Sequence, residues 1–341
     1  MNFSSDNSAG VAPQIMAALA AANEGAAMAY GEDAITKEAE AAFTDLFERE
    51  LAVFPVATGT AANALALSAF TPPWGQILCH RNAHIEEDEA GAPEMFTGGA
   101  KLSLLDGPHG KISPETLEKA LAKAGFGIQH HPQPKLLSLT QATEAGTIYQ
   151  NEEVADLAKI AHRADLAVHM DGARFANAVA TLRCSPAEAT WKAAVDVLSF
   201  GATKNGAMAA EAVIFFDPQR ANDFLFRRKQ GGHLFSKMRY LSVQLLAYLR
   251  DDLWLKNARH ANHCALVLSK GLAKLKACEL LHEVQANEVF ARLPEQTLTA
   301  LENGGAGSLR WDNDGTARFV CAFDTDMEAV DRVLKIARET A

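Results

Sequence analysis

The chain has 341 residues, 48% of them hydrophobic, and a formal net charge of −10 at pH 7. A chain of this length and composition can bury a large core and suits one large domain plus a smaller one. The acidic balance disfavours nucleic acid or an anionic membrane as the main partner. No stretch approaches the roughly 20 apolar residues of a membrane span.

The first residues have neither a basic region nor an apolar core, so a signal peptide is not predicted. Five cysteines are scattered along the chain without CxxC spacing, which predicts reduced core thiols and a cytoplasmic location. No His/Cys cluster has zinc-ligand spacing, and no metal site is predicted.

Short β-type runs alternate with helical stretches over the first two thirds of the chain. The runs cover residues 53–56, 76–79, 101–105, 135–140, 166–169, 195–200 and 212–216, and the helical stretches include 35–51 and 114–124. This alternation predicts an α/β fold with a mostly parallel seven-stranded sheet covered on both faces.

The last third of the chain predicts a smaller α+β domain. A long helix is expected over 227–255, then strands at 289–293, 308–311 and 318–323, and a closing helix from about Asp326. We therefore expect an N-terminal arm over 1–16, a large domain over 17–245 and a small C-terminal domain over 246–341.

The first strand leads into the turn Thr58-Gly59-Thr60 and an alanine-rich helix. Exposed N–H groups at such a helix start, with the two threonine hydroxyls, form a site suited to a phosphate. The turn lacks the GxxxxGK[ST] spacing, and no GxGxxG follows a predicted strand. Nucleotide cofactors therefore lose support.

Two later strands also end in chemistry-bearing residues. Asp171 follows the strand at 166–169, at the sheet edge where α/β proteins bind ligands. Lys204 follows the strand at 195–200 in a turn of small residues, which suits an amine that attacks a carbonyl. A phosphate turn, a carboxylate and a lysine in this order predict pyridoxal 5'-phosphate, because its ring acts as an electron sink when a carboxylate keeps the ring nitrogen protonated.

Nine segments carry a resemblance that covers essentially the whole chain. The sequence resembles the fold-type I pyridoxal phosphate enzymes, and among them the bacterial low-specificity L-threonine aldolases of the β-eliminating lyase group. The matching segments are SSDN (4–7), AYGED (29–33), TGTAAN (58–63), AH (83–84), EAGAPE (89–94), TQATE (140–144), HMDGARF (169–175), FGATKNG (200–206) and ARFVC (317–321).

The resemblance implies roles for the residues around the cofactor. Lys204 would form a Schiff base with its aldehyde, Asp171 would pair with the pyridinium nitrogen, and His84 would stack on the ring face. Arg318, assisted by Ser5, would hold the substrate carboxylate through two parallel hydrogen bonds. Arg174 would lie near the cofactor and the substrate, and the neighbouring Arg310 is the competing carboxylate ligand.

A retro-aldol cleavage also needs a base for the β-hydroxyl proton. A neutral histidine suits this near pH 7, and the candidates are His84 and His130, with His131 leaving the second assignment uncertain by one position. Glu144 stands where related threonine aldolases commonly carry asparagine. This departure leaves its role open.

Positive charge beyond the Thr58-Gly59-Thr60 turn is expected at the phosphate. Lys229 and Lys237 are both plausible donors from a basic segment after the lysine strand. By resemblance, Tyr30 and Asp33 would reach across a subunit boundary, which predicts a homo-oligomer with a dimeric catalytic unit and a plausible homotetramer.

The predicted activity is cleavage of L-threonine, L-allo-threonine and related β-hydroxy-α-amino acids to glycine and an aldehyde. The alternatives on the same cofactor are a phenylserine-preferring aldolase and a β-eliminating amino acid lyase. A non-catalytic pyridoxal phosphate-binding protein is the hypothesis from another class, and the lysine, the carboxylate and both arginines argue against it.

Overall fold

The computed structural model describes residues 1–312 and 314–341, and its centre is a seven-stranded sheet. Its spatial order is β1-β7-β6-β5-β4-β2-β3, and only β7 runs antiparallel to its neighbours. The predicted α/β architecture with a mostly parallel sheet is confirmed. The strands are β1 (Ala52–Val56), β2 (Gly75–His80), β3 (Lys101–Leu105), β4 (Gln133–Thr140), β5 (Ala167–Gly172), β6 (Val197–Gly201) and β7 (Glu211–Phe215).

Helices flank this sheet, and polar caps define where several of them begin. The Asp33, Thr58 and Ser113 side chains each accept a hydrogen bond from a backbone N–H in the first turn, which satisfies a donor that the helix itself leaves free. The helices are α1 (Pro13–Ala21), α2 (Ala34–Phe47), α3 (Gly59–Phe70), α4 (His84–Glu87), α5 (Ala92–Thr97), α6 (Pro114–Lys123), α7 (Asn151–Arg163), α8 (Phe175–Leu182), α9 (Phe224–Gln230) and α10 (Arg239–Leu249).

A second, antiparallel sheet follows near the C-terminus. It consists of β8 (Glu279–Leu280), β9 (Glu288–Arg292) and β10 (Thr316–Val320), packed with α11 (Leu253–Leu272), α12 (Glu295–Asn303) and α13 (Met327–Thr340). Its apolar core is separate from the cores of the large sheet and also includes Phe3 from the N-terminal arm.

Two local predictions are wrong. Residues 227–255 do not form one helix, because α9 ends at Gln230 before two consecutive glycines and the next helix begins only at Arg239. Residues 308–311 contribute a single bridge, from Arg310 to Ala317, rather than a strand. The helix expected over 35–51 also ends earlier, at Phe47, where Glu48 adopts a left-handed conformation.

An aromatic core beneath the carboxyl ends of β5 and β6 fixes the position of the following loops. Phe200 packs edge-on against Phe43 at 5.1 Å between ring centroids and also contacts Phe47, Phe175 and Trp254. All five rings are essentially inaccessible to solvent, and each contributes about 1.5–3 kcal/mol through burial. Within the described ranges, no helix is long and apolar enough to cross a membrane.

Candidate active site

Lys204 lies in a short turn that the protein holds at three points. Asn205, the next residue, donates to the Tyr248 hydroxyl at 2.6 Å and to the Trp254 carbonyl at 2.8 Å. On the other side, the Ala202 N–H donates to Glu211 Oε2 at 2.9 Å. The lysine itself is half-buried and lines the main cleft. Its backbone is therefore fixed while its amine faces the cleft.

Asp171 ends β5 as part of a buried hydrogen-bonded network. The Asn63 side-chain amide donates to Asp171 Oδ2 and to Glu89 Oε1, both at 2.8 Å. Glu89 Oε1 also lies 2.8 Å from His84 Nδ1. That hydrogen bond raises the pKa of His84, and burial raises the pKa of Glu89. The four side chains thus form one hydrogen-bonded cluster, and His84 is the member that lines the cleft.

His84, Glu89 and Asp171 also bring their ligand atoms within 4.8 Å of one another, close enough to hold a metal ion in principle. The Asn63 amide lies between the two carboxyls and donates to both. One oxygen of each carboxyl, Glu89 Oε1 and Asp171 Oδ2, is therefore already engaged in the network, while Glu89 Oε2 has no hydrogen-bond partner among the described residues.

The Thr58-Gly59-Thr60 turn begins α3. Thr58 Oγ1 accepts from the Ala61 N–H at 3.2 Å, and the Ala57 N–H donates to His233 Nδ1 at 3.2 Å. The first N–H groups of a helix have no intrahelical partners. The backbone N–H groups of Gly59 and Thr60 therefore point out of the N-terminal end of α3. This donor set suits a phosphate.

The cleft has a volume of about 740 Å³ and contains groups from both sheets. Its charged and polar lining includes Ser5, His84, Glu144, Arg174, Lys204, Glu288 and Arg318. The structure therefore brings five of the residues predicted from sequence to one cavity: Ser5, His84, Arg174, Lys204 and Arg318.

The two predicted arginines have different environments. Arg174 donates to both carboxylate oxygens of Asp6, at 2.8 and 3.1 Å, and its Nη1 lies 3.2 Å from Glu288 Oε2. Among the residues that the structure describes, Arg318 donates only to the Ser4 carbonyl, at 3.2 Å, and it stacks on Trp311 with its guanidinium carbon 4.3 Å from the ring centroid. Burial lowers the pKa of Arg318. Arg318, rather than Arg174, offers unpaired donors to the cleft, and Arg310 pairs instead with Glu295 and Glu302 outside it.

Other predicted residues lie outside this cavity. His130 is exposed in the loop before β4, at the sheet edge opposite the carboxyl ends of the parallel strands. Lys229 and Lys237 are exposed, and Lys229 Nζ lies 5.2 Å from the ring centroid of Tyr30, which is half exposed. Asp33 is buried, and its two carboxylate oxygens accept from Thr36.

Glu144 is a site residue whose role the sequence left open. Its Oε1 accepts from the His84 N–H at 2.9 Å and from Thr140 Oγ1 at 2.8 Å, while its Oε2 is enclosed without a partner in the described residues. Burial raises the pKa of Glu144 to about 7. The group therefore exchanges a proton near neutral pH.

Sequence reasoning missed four polar groups around the site, Asp6, Asn63, Glu89 and Glu288. Asn63 and Glu89 lie within segments that carried the resemblance, yet nothing local indicates that they meet. Glu288 had a usable signal, since a charged residue directly precedes the apolar strand predicted at 289–293.

The groups around the cleft fit pyridoxal phosphate: a helix start for a phosphate, a buried carboxylate for a ring nitrogen and a lysine for an aldehyde. The fold and this donor set together define a fold-type I pyridoxal phosphate enzyme. The family model described as beta-eliminating lyase matches residues 2–296. The chain belongs to this family, whose members are pyridoxal phosphate-dependent lyases.

Relatives and solved structures agree with this assignment. The low specificity L-threonine aldolase of Pseudomonas aeruginosa is 44% identical over 99% of this chain and 96% of its own length. A low specificity L-threonine aldolase from another Pseudomonas strain is also 44% identical, over 95% of this chain and 93% of its own. The structure of a threonine aldolase from Leishmania major matches 98% of each chain at 27% identity, with a TM-score of 0.91.

Proposed function

We propose that this protein cleaves L-threonine, L-allo-threonine and related β-hydroxy-α-amino acids to glycine and an aldehyde. The observation that carries the proposal is the convergence of His84, Lys204 and Arg318 on one cleft in a chain that is 44% identical to low specificity L-threonine aldolases. Asp171 is connected to His84 by the hydrogen bonds of Asn63 and Glu89. Bound pyridoxal phosphate supplies an electron sink for the bond broken at the substrate's α-carbon.

The chain's own residues would bind and orient the reactants. Lys204 would hold the cofactor aldehyde and release it to the substrate amine. Asp171, fixed by the Asn63 amide, would keep the ring nitrogen protonated, and His84 would pack on the ring face. Arg318 and Ser5 would hold the substrate carboxylate, whereas Arg174 would act through Asp6 by fixing the N-terminal arm at the site.

The β-hydroxyl proton needs an acceptor, and three side chains are candidates. His84 lines the cleft, and Glu144 joins it as a carboxyl with a pKa of about 7 and one unpartnered oxygen. His130 lies outside the cleft of its own chain, so it would serve only the site of another subunit.

The phosphate and subunit arrangement form the next part of the proposal. Thr58, Gly59 and Thr60 would bind the phosphate, and Lys229 or Lys237 would complete its positive surroundings across a dimer interface, with a homotetramer as the larger assembly. Support comes from the exposed Tyr30 ring beside Lys229. Asp33 gains no such support, because its carboxylate caps α2.

We further propose a division into an arm over 1–16, a large domain over 17–245 and a small domain over 246–341. The separate apolar core around the second sheet supports it. The cytoplasmic location stays a prediction from the cysteine pattern.

One experiment tests the reaction. Purified holoenzyme is mixed separately with L-threonine, L-allo-threonine, L-phenylserine, L-serine and L-tryptophan, and aldehyde, glycine and pyruvate are assayed. We expect glycine and aldehyde in equal amounts from the first two. Faster release of benzaldehyde from phenylserine would favour the phenylserine-preferring aldolase, and pyruvate without glycine would overturn the aldolase in favour of β-elimination.

A further inference from the structure

Glu288 is a buried acid in the cleft that the proposed reaction leaves without a role. Its side chain is 1% exposed, and neither carboxyl oxygen has a hydrogen-bond partner in the described part of the chain. Arg174 Nη1 lies 3.2 Å from its Oε2, in a geometry that does not complete a hydrogen bond. Buried polar groups are nearly always satisfied, so these oxygens call for a partner that binds there.

The strand register directs Glu288 toward the same cleft as Arg318. In the antiparallel pair of β9 and β10, Val320 lies opposite Glu288 and Arg318 lies opposite Phe290. Residues 288 and 290 therefore share a face with Arg318, while Val289 and Ala291 face the apolar core. Glu288 and Arg318 are diagonal neighbours, a separation that long side chains can span.

Burial, together with the Asp6 carboxylate, favours the neutral form of Glu288. Arg174 is already matched by Asp6 through two hydrogen bonds. Burial raises the pKa of Glu288, and the Asp6 carboxylate raises it further, while Arg174, Arg318 and Lys204 lower it without cancelling the rise. A second ionised carboxylate here would be buried without a hydrogen-bond donor, which is costly.

We propose that Glu288 is a substrate-binding residue that acts as a neutral acid, donating its O–H to the α-carboxylate of the amino acid that Arg318 holds. The substrate carboxylate then receives one neutral and one charge-assisted donor. Ionised Glu288 would instead repel that carboxylate. Affinity for amino acids should therefore fall as pH rises through the pKa of this acid. This inference rests on the proposed function only in taking Arg318 as the carboxylate ligand.

The test measures binding rather than turnover. Holoenzyme is titrated with glycine over the whole pH range in which it stays folded, with the change in the visible absorbance of the lysine-bound cofactor as the readout. The variants are Glu288→Gln, which imitates the neutral acid, Glu288→Ala, and Glu283→Gln as a matched control on an exposed acid of the preceding segment. Titration of the glycine amine and of Lys204 changes the glycine affinity of every variant in the same way. The ratio of wild-type to variant affinity therefore reports the contribution of Glu288 alone.

We expect this ratio for Glu288→Gln to fall by up to about tenfold per pH unit above the pKa of Glu288. Glu288→Ala should bind glycine more weakly than Glu288→Gln at every pH, and Glu283→Gln should match the wild type. A ratio that stays constant with pH, or a Gln variant as weak as the Ala variant, would overturn the proposal.

Wild-type holoenzyme gives a second measurement that needs no variant. Methylamine carries an amine but no carboxylate, so its affinity should lack the pH effect that glycine shows. Equal pH profiles for the two amines would also overturn the proposal. If no glycine and aldehyde form from threonine, but the affinity for glycine still falls with pH as expected, only the proposed reaction is rejected.

Discussion

Asn63 donates a 2.8 Å hydrogen bond from its side-chain amide to Asp171 Oδ2, and the same nitrogen donates to Glu89 Oε1 at 2.8 Å. A neutral donor thus separates two buried carboxyl groups at the carboxyl end of β5. This arrangement allows Asp171 to face a cofactor ring without a direct clash of charge with Glu89.

Replacing Asn63 with Asp should weaken cofactor binding. The substitution removes the donor and adds a third carboxyl group, and hydrogen bonds to charged groups are each worth about 1.5–3 kcal/mol. We expect the dissociation constant for pyridoxal phosphate to rise by about tenfold or more, measured by titrating apoenzyme with cofactor. Ser68→Ala is the matched control, because Ser68 is buried on the same helix and bonds only to the Leu65 carbonyl.

Replacing Lys204 with Ala should abolish the visible absorbance band of the bound cofactor and nearly all turnover. No other described residue offers an amine to the cleft. Absorbance spectra and the threonine assay check both effects. Lys192→Ala is the control, since Lys192 pairs with Glu48 on the surface. Full turnover in Lys204→Ala would show that the lysine is misassigned.

Local pattern predicted the strand ends and therefore where the two principal candidate residues lie. Asp171 and Lys204 each follow an apolar run that becomes a strand, and the carboxyl ends of adjacent parallel strands must meet at one edge. The partners of these residues were not predictable in the same way. Asn63 is 108 positions from Asp171, and only the packing of α3 on the sheet brings the two together.

The partners of the two arginines were likewise not predictable from the sequence. The sequence alone does not distinguish Arg174 from Arg318. In the fold, Asp6 of the N-terminal arm accepts hydrogen bonds from Arg174, whereas Arg318 donates to the Ser4 carbonyl and keeps donors for a ligand. The broken helix after Gln230 is different, since Gly231 and Gly232 were visible in the sequence. The predicted helix wrongly continued through them.

Replacing Arg174 with Gln should destabilise the fold as well as reduce activity. Burial alone would raise the pKa of Asp6, and Arg174 is the main group that holds that pKa below its usual value. Removing one partner of a buried ion pair costs about 3–5 kcal/mol, measurable by urea unfolding. Arg310→Gln should change the free energy of unfolding by less than about 1 kcal/mol, because its ion pairs are exposed. Equal stability of the two variants would contradict this reading of Arg174.

Glu144 should make stability depend on pH. The pKa of its carboxyl is raised to about 7 in the folded state from 4.5, so the folded protein holds a proton that the unfolded chain releases between these values. Stability from this group is complete below pH 4.5 and declines as pH rises to about 7.

The variant Glu144→Gln lacks this titration. Relative to it, the wild type should lose up to about 3 kcal/mol of unfolding free energy across that interval. Urea unfolding of both proteins at several pH values measures the difference, and Glu211, the other site carboxyl with a pKa of about 7, cancels because both proteins retain it. A difference that does not vary with pH would show that Glu144 is ionised throughout.

Mixing an impaired and an inactive variant should restore activity if Lys229 serves the site of a partner subunit. Lys229→Met should be impaired because the phosphate loses a positive charge, and Lys204→Ala lacks the reactive amine. In a dimer that contains one copy of each, the Met-bearing subunit keeps its own Lys204 and receives Lys229 from its partner. Random mixing therefore leaves about a quarter of all sites intact.

Mixing Lys204→Ala with Asp171→Ala is the control, because both residues belong to the cleft of one chain and no intact site can form. Turnover is measured after the variants are unfolded and refolded together. Recovery in the first mixture alone supports the shared site, and no recovery in either means that Lys229 acts within its own subunit or not at all.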